Sequence, residues 1–147
     1  MLDHLQIRAL PVTLYNFVFA NCFLLAITAH YIDAGFNLRQ RLMAFEQIHG
    51  EHTGENLARI VYDCLNTNNV CEKLHYVTAD NAKNNDTMVE SLSAILLREA
   101  NVIWDHNTHH VRCLAHIINI VVGDFLKGML SMSCDISVTG LPKDLHQ

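Results

Sequence analysis

Apolar positions in this chain fall into blocks whose period changes along its length. Val12 to Phe19 and Cys22 to Ile32 are apolar, aromatic-rich runs separated by Ala20-Asn21, and Leu38 to Ile48 follows the stretch Asp33-Ala34-Gly35-Phe36-Asn37. Runs of this kind joined by short turns predict three consecutive strands. Beyond Thr53 the period lengthens. Leu57, Ile60, Val61, Cys64 and Leu65 then recur at i, i+3, i+4, i+7 and i+8, the stripe of an amphipathic helix that Thr53 caps. Leu74 to Thr78 is β-branched and aromatic and predicts another strand. Met88, Leu92, Ile95 and Leu96 line a second helix, for which Thr87 and Glu90 form a capping box. An antiparallel meander followed by helix, strand and helix is a mixed α/β pattern.

Composition fits one compact domain and not a free-standing nucleic-acid binder. The chain has 147 residues, half of them apolar, enough for one core. Ten Lys and Arg stand against fifteen Asp and Glu, a formal net charge of −5, whereas a DNA-binding module is usually basic with a concentrated patch. The densest basic stretch, Arg39-Gln40-Arg41, is expected to be a solvated face of a strand. Five cysteines without paired spacing argue for a reducing compartment, with Cys22, Cys64 and Cys71 as small hydrophobes. Leu10 to Ala29 is apolar enough to suggest a secretory signal, but Thr13, Asn16 and Asn21 interrupt it and no basic n-region precedes it beyond Arg8. No uninterrupted apolar run is long enough for a membrane span.

Chemistry is suggested at two places. In Tyr76-Val77-Thr78-Ala79-Asp80-Asn81-Ala82-Lys83-Asn84-Asn85-Asp86 an apolar run ends in an acidic residue and an asparagine-rich turn. A carboxylate at a strand tip can present a hard oxygen to a metal ion, and a helix N-terminus decorated with Asp and Asn has the same composition. The second place is His109, His110, Cys113 and His116. These are zinc-type donors, but a structural site needs four with matching geometry, and Cys134 has no partner spacing, so no zinc is expected. Trp104 is read as a packing anchor rather than a base-stacking platform.

Five separated stretches carry a resemblance. They are Leu25-Ala26-Ile27-Thr28-Ala29-His30-Tyr31-Ile32-Asp33, Ala44-Phe45-Glu46, His52-Thr53-Gly54-Glu55-Asn56, Asp80-Asn81-Ala82 with Asn84-Asn85, and Arg112-Cys113-Leu114-Ala115-His116. In order and spacing the chain, from about Leu24 to about Leu130, resembles the hAT family of DNA transposases. The resemblance implies a ribonuclease-H-like fold in which three acidic residues hold two divalent cations, Mg²⁺ or Mn²⁺, for DNA cleavage and strand transfer. It implies that Asp80 occupies the second acidic position, with Asn81, Asn84, Arg112, Cys113 and His116 near the site. It further implies that the strand carrying Asp80 lies beside the first strand, that Arg112-Cys113 ends a short fifth strand, and that Ala115-His116 opens a helix running to about Lys127. Cys113 and His116 have a second reading as residues that only fill the strand-helix junction.

The sequence departs from the family pattern elsewhere. Tyr15 stands about where the first Asp is expected, and no Asp or Glu lies between His4 and Asp33. A phenol stays protonated at neutral pH and is a poor hard-cation ligand. The third acidic residue, a Glu on a helix well beyond the last motif, is expected to fall outside a chain that ends at Gln147. Lys83 occupies a position where the family usually has a small residue; a lysine beside Asp80 opposes cation binding if it points inward, and contacts DNA phosphate if the site is otherwise retained.

The expected product is the N-terminal part of a ribonuclease-H-like domain over residues 1–130, with a loosely held tail over residues 131–147. Its last elements are a short strand and a buried helix, because Ile117, Ile118, Ile120, Val121, Val122 and Phe125 are apolar nearly all round. The expected function is that of a catalytically inactive transposase remnant, nuclear by resemblance and not secreted, with weak residual DNA or transposase-subunit association. No cofactor is expected unless activity is retained, when Mg²⁺ or Mn²⁺ would be needed. Two alternatives stand beside it: a protein-interaction module that self-associates or binds a partner through the helix over residues 117–125, and a strand-transfer enzyme completed by another chain.

Overall fold

The computed structural model describes residues 10–19 and 22–136. β1 (Leu10–Phe19), β2 (Cys22–Ile32) and β3 (Leu38–Gln47) form an antiparallel meander. Ala20-Asn21, expected between the first two strands, lies outside the described residues. The β2–β3 turn is built on one side chain: Asp33 Oδ1 accepts from the backbone N–H of Gly35 and of Asn37, both at 2.9 Å. Arg39 Nε donates to the other carboxylate oxygen at 2.7 Å. The chain can then reverse through Phe36 at a positive φ of 60°.

α1 (Gly54–Thr67) follows, with Thr53 accepting at its N-cap from the N–H of Asn56. A 3₁₀ turn at Cys71–Lys73 leads into β4 (Leu74–Ala79), then α2 (Lys83–Ala100), the short α3 (His106–His109) and β5 (His110–Arg112). Strand order is β3-β2-β1-β4-β5, with β4 parallel to both β1 and β5. This is the expected mixed α/β architecture, and the Asp80-bearing strand does lie beside the first.

One core unites the sheet with α1 and α2. Leu10, Val12 and Leu14 alternate inward from β1, and Leu25, Ile27 and Ala29 do so from β2. They meet Leu57, Val61 and Leu65 of α1 and Met88, Leu92 and Leu96 of α2, so the predicted helical stripes are the buried ones. Cys64 and Cys71 are buried in this cluster, and burial raises the Cys64 thiol to about 11, consistent with an inert hydrophobe. Trp104 is 4% exposed and donates its indole N–H to the carbonyl of His75 at 3.0 Å, as an anchor between the end of α2 and β4.

Two expectations fail in detail. α2 begins at Lys83, ahead of Thr87, so Thr87 and Glu90 lie inside the helix and form no capping box. At this earlier start the N-cap is Ala82, whose N–H donates to Asp80 Oδ1, while the Asn85 side chain donates to the same oxygen. The last helix is the second difference. α4 (Leu114–Ile136) is a separate unit from residues 1–113, and its apolar side chains are exposed rather than buried, Leu114 by 68%, Val121 by 62% and Phe125 by 66%. α4 continues past Leu130 to Ile136, and the remainder of the expected tail lies outside the described residues. Among the described residues no helix is long and apolar enough to cross a membrane.

Candidate functional site

Asp80 is the first residue after β4 and is half-buried. Its Oδ1 accepts from the backbone N–H of Ala82 at 2.9 Å and from Asn85 Nδ2 at 2.7 Å. Asn85 Nδ2 also reaches the Asp80 carbonyl at 3.2 Å. The two readings of this segment therefore share one residue. Asp80 is a carboxylate at a strand tip, and it also holds the start of α2, where Ala82 at the N-cap offers no side-chain acceptor.

Asn85 is the most enclosed polar group here, 1% exposed. Because its nitrogen faces Asp80, its oxygen faces β1 and meets Asn16 Nδ2 at 3.5 Å, a long contact. Among the described residues, buried Asn16 Oδ1 has no hydrogen-bond partner, and Asn81 Oδ1 is in the same condition. Asn16 follows Leu10, Val12 and Leu14 on the inward-facing side of β1 by simple alternation, whereas Tyr15 is 41% exposed. Asn85 entered only as part of the asparagine-rich turn, and Asn16 was not singled out for chemistry from the sequence, where it reads as an interruption of an apolar run. Alternation was the signal that could have found it.

The neighbouring motifs converge on the same helix start. Asn84 Nδ2 donates to the His52 carbonyl at 2.8 Å and lies 3.1 Å from His52 Nδ1. An amide nitrogen only donates, so His52 Nδ1 is the acceptor in this contact. Phe23 packs on that ring at 4.8 Å between centroids. Gly54 brings α1 against α2 at Thr87 and Met88 so closely that a Cβ would stand 2.6 Å from Met88 N. Thr53 caps α1 as expected, and Gly54 is the point of close approach between the two helices.

Arg112 is drawn to the same helix, its Nη2 lying 3.2 and 3.3 Å from the two Asp86 carboxylate oxygens. The Cys113 N–H donates to the Ala79 carbonyl at 2.8 Å, tying the end of β5 to the residue before Asp80. His110 lies 3.9 Å from Asp86, and burial holds its pKa below the ordinary histidine value against the pull of that carboxylate. His116 is on α4 and belongs to the other unit. Lys83 is the exposed first residue of α2, a cation at a positive helix end. His109, His110 and Cys113 share no helix face, since α3 ends at His109 and β5 begins at His110. Among the described residues no group of three or more His, Cys, Asp or Glu could hold a metal ion.

Residues 19–108 match the ZBED1 RNase-like domain. The chain belongs to that family. This RNase-like domain is 32% identical over 103 residues to a putative Ac transposase of Zea mays, covering 69% of the chain and 13% of that relative. It is 34% identical over 105 residues to a putative transcriptional regulator, tpeD, of Talaromyces stipitatus, 71% of the chain and 12% of the relative. The zinc finger BED domain-containing protein RICESLEEPER 1 of Oryza sativa is 26% identical over 102 residues, 69% of the chain and 14% of its own length. The chain is thus an hAT-type, transposase-like domain, and it spans only a small part of the length of these curated relatives.

The donor chemistry around Asp80 does not fit the divalent cations that the fold family implies. Hard cations need several charged oxygens. Here Asp80 is one carboxylate with two N–H donors already on Oδ1, its neighbours Asn85 and Asn16 are amides, and Asp86 is paired with Arg112. Lys83 adds a positive charge nearby in sequence.

Proposed function

We propose that this RNase-like domain is of hAT transposase descent, does not cleave DNA, and acts by association with DNA or with transposase subunits in the nucleus. The observation that carries this is the use of Asp80 as a structural acceptor, its Oδ1 engaged by Ala82 N and Asn85 Nδ2. β1 supplies no carboxylate beside it, since Leu10 to Phe19 contains no Asp or Glu. A two-metal mechanism clamps attacking and leaving oxygens between cations, and one carboxylate whose Oδ1 already accepts two hydrogen bonds cannot support it. The transposase and BED zinc-finger relatives favour DNA as a partner, and a net charge of −5 makes that contact weak.

The test is thermal unfolding of the chain with and without millimolar Mn²⁺, alongside nicking of duplex DNA. The expected result is a melting point and a DNA substrate both indifferent to metal. A metal-dependent rise in Tm that disappears in Asp80→Ala would restore the cation site and overturn the reading.

One observation favours a second reading, that of a protein-interaction module. Leu114, Val121 and Phe125 give α4 more exposed apolar surface than a solvated helix carries. Light scattering of the chain beside Phe125→Glu separates the two. Self-association that the variant abolishes would favour the module, and a monomer in both would favour the first reading.

A further inference from the structure

Polar contacts around Asp80 form a directional relay whose polarity fixes what residue 16 must be. Asn85 donates through Nδ2 to both the carbonyl and the Oδ1 of Asp80, so the orientation of its amide is determined. Its Oδ1 then points to β1 and requires a donor, and Asn16 Nδ2 is what meets it, at 3.5 Å. A carboxylate at position 16 would bring a charge against an amide oxygen at a buried place, with repulsion on one side and lost hydration on the other. Turning Asn85 over to suit it would withdraw the two donors from Asp80.

We infer that Asn16 is the positioning residue that locks Asp80 in a cation-free state, acting through Asn85, and that its amide supplies the donor polarity a bound cation would otherwise provide. Asn and Asp differ by one group of similar size. The absence of a second carboxylate on the inward face of β1 therefore rests on this side chain and not on a rearranged backbone. This inference rests on the non-catalytic reading above but makes a separate demand, because it assigns the loss to Asn16 and not to the exposed Tyr15.

The experiment compares the full chain with Asn16→Asp, Asn16→Ala and Tyr15→Asp by thermal unfolding in EDTA and in millimolar Mn²⁺. In EDTA, Asn16→Asp is expected to melt roughly 5 °C lower than the parent. Mn²⁺ should recover most of that loss, because an ion binding only the native state stabilises it. Asn16→Ala should lose stability that no metal restores, and Tyr15→Asp should show no metal response. An Asn16→Asp variant that is neutral, or that Mn²⁺ does not rescue, overturns the relay, as does a metal response in Tyr15→Asp alone. If Asn16→Asp does not fold, hydrogen exchange of the Asn85 side-chain amide decides. Its protection should fall at least tenfold in Asn16→Ala, and unchanged protection overturns the inference. A metal response in the parent chain would instead break the non-catalytic reading, leaving the comparison between variants to judge the relay.

Discussion

Gly54 packs so closely against Thr87 that a Cβ at position 54 would stand 2.6 Å from the Thr87 Cβ and 2.6 Å from Met88 N. Real Cβ atoms do not approach backbone this closely, so the glycine sets how near α1 comes to the start of α2 and hence to the turn holding Asp80. Alanine at a helical position is normally favoured over glycine by about 1 kcal/mol. At this contact the sign reverses, because the neighbour that must yield is backbone of a packed helix. Gly54→Ala is expected to destabilise by about 1–3 kcal/mol in urea unfolding. At Gly123 on α4 a Cβ would meet nothing within 4 Å among the described residues, and there alanine should be neutral or stabilising.

Acid stability should depend on Glu99. Its carboxylate receives Arg59 Nη1 and Nη2 at 2.8 and 2.7 Å, joining α1 to α2, and Arg98 at 2.8 Å. Arg59, then Arg98, lowers its pKa from 4.5 to about 2. A depressed carboxylate contributes stability above its unfolded pKa and loses that contribution as pH falls through the folded one. Asp33, held down to about 2 first by the Asn37 N–H and then by Arg39, acts over a similar window. Unfolding of Glu99→Gln followed from pH 6 to about pH 2 should show a shallower acid limb than the parent. The difference should shrink in high salt, because these groups are solvent-screened.

Trp104 offers a check on the packing of β4. The indole is 4% exposed and its N–H is committed to the His75 carbonyl, so it should resist acrylamide quenching and should not change emission when DNA is added. Trp104→Phe removes that donor and some buried volume, for an expected loss of about 1–3 kcal/mol. A DNA-dependent change in its fluorescence would instead support stacking on bases.

Much of the sheet was legible because apolar runs and turn chemistry agree. Cys22–Ile32 falls at the observed bounds, and the Leu57-to-Leu65 stripe is the buried side of α1. The start of α2 was misread because Thr87 and Glu90 satisfy a local pattern, while the real determinant is Asp80 reaching forward to Ala82 and Asn85. That contact depends on where β4 ends. The Asn16 to Asn85 contact joins residues 69 positions apart, and no local window reports it. The exposure of α4 has a different cause. An all-round apolar helix states that it needs a partner, but not whether the same chain supplies one.

Asp80 itself separates a structural carboxylate from a metal ligand by the pattern of its substitutions. As a structural acceptor it satisfies the Ala82 N–H and the amide of Asn85, which is 1% exposed. Asp80→Ala removes the acceptor and leaves a buried donor unpaired, at an expected cost of about 1–3 kcal/mol. Asp80→Asn keeps a side-chain oxygen that can accept the same bonds while its charge is lost, so most of the stability should remain. Neither result should change when Mn²⁺ replaces EDTA. A metal ligand behaves otherwise, since both substitutions remove the charged oxygen and both should abolish a metal-dependent gain in Tm. Urea unfolding of the three proteins in the two buffers therefore gives two distinct signatures. A large loss for alanine and a small one for asparagine, alike in both buffers, is the outcome expected from the contacts that Asp80 makes.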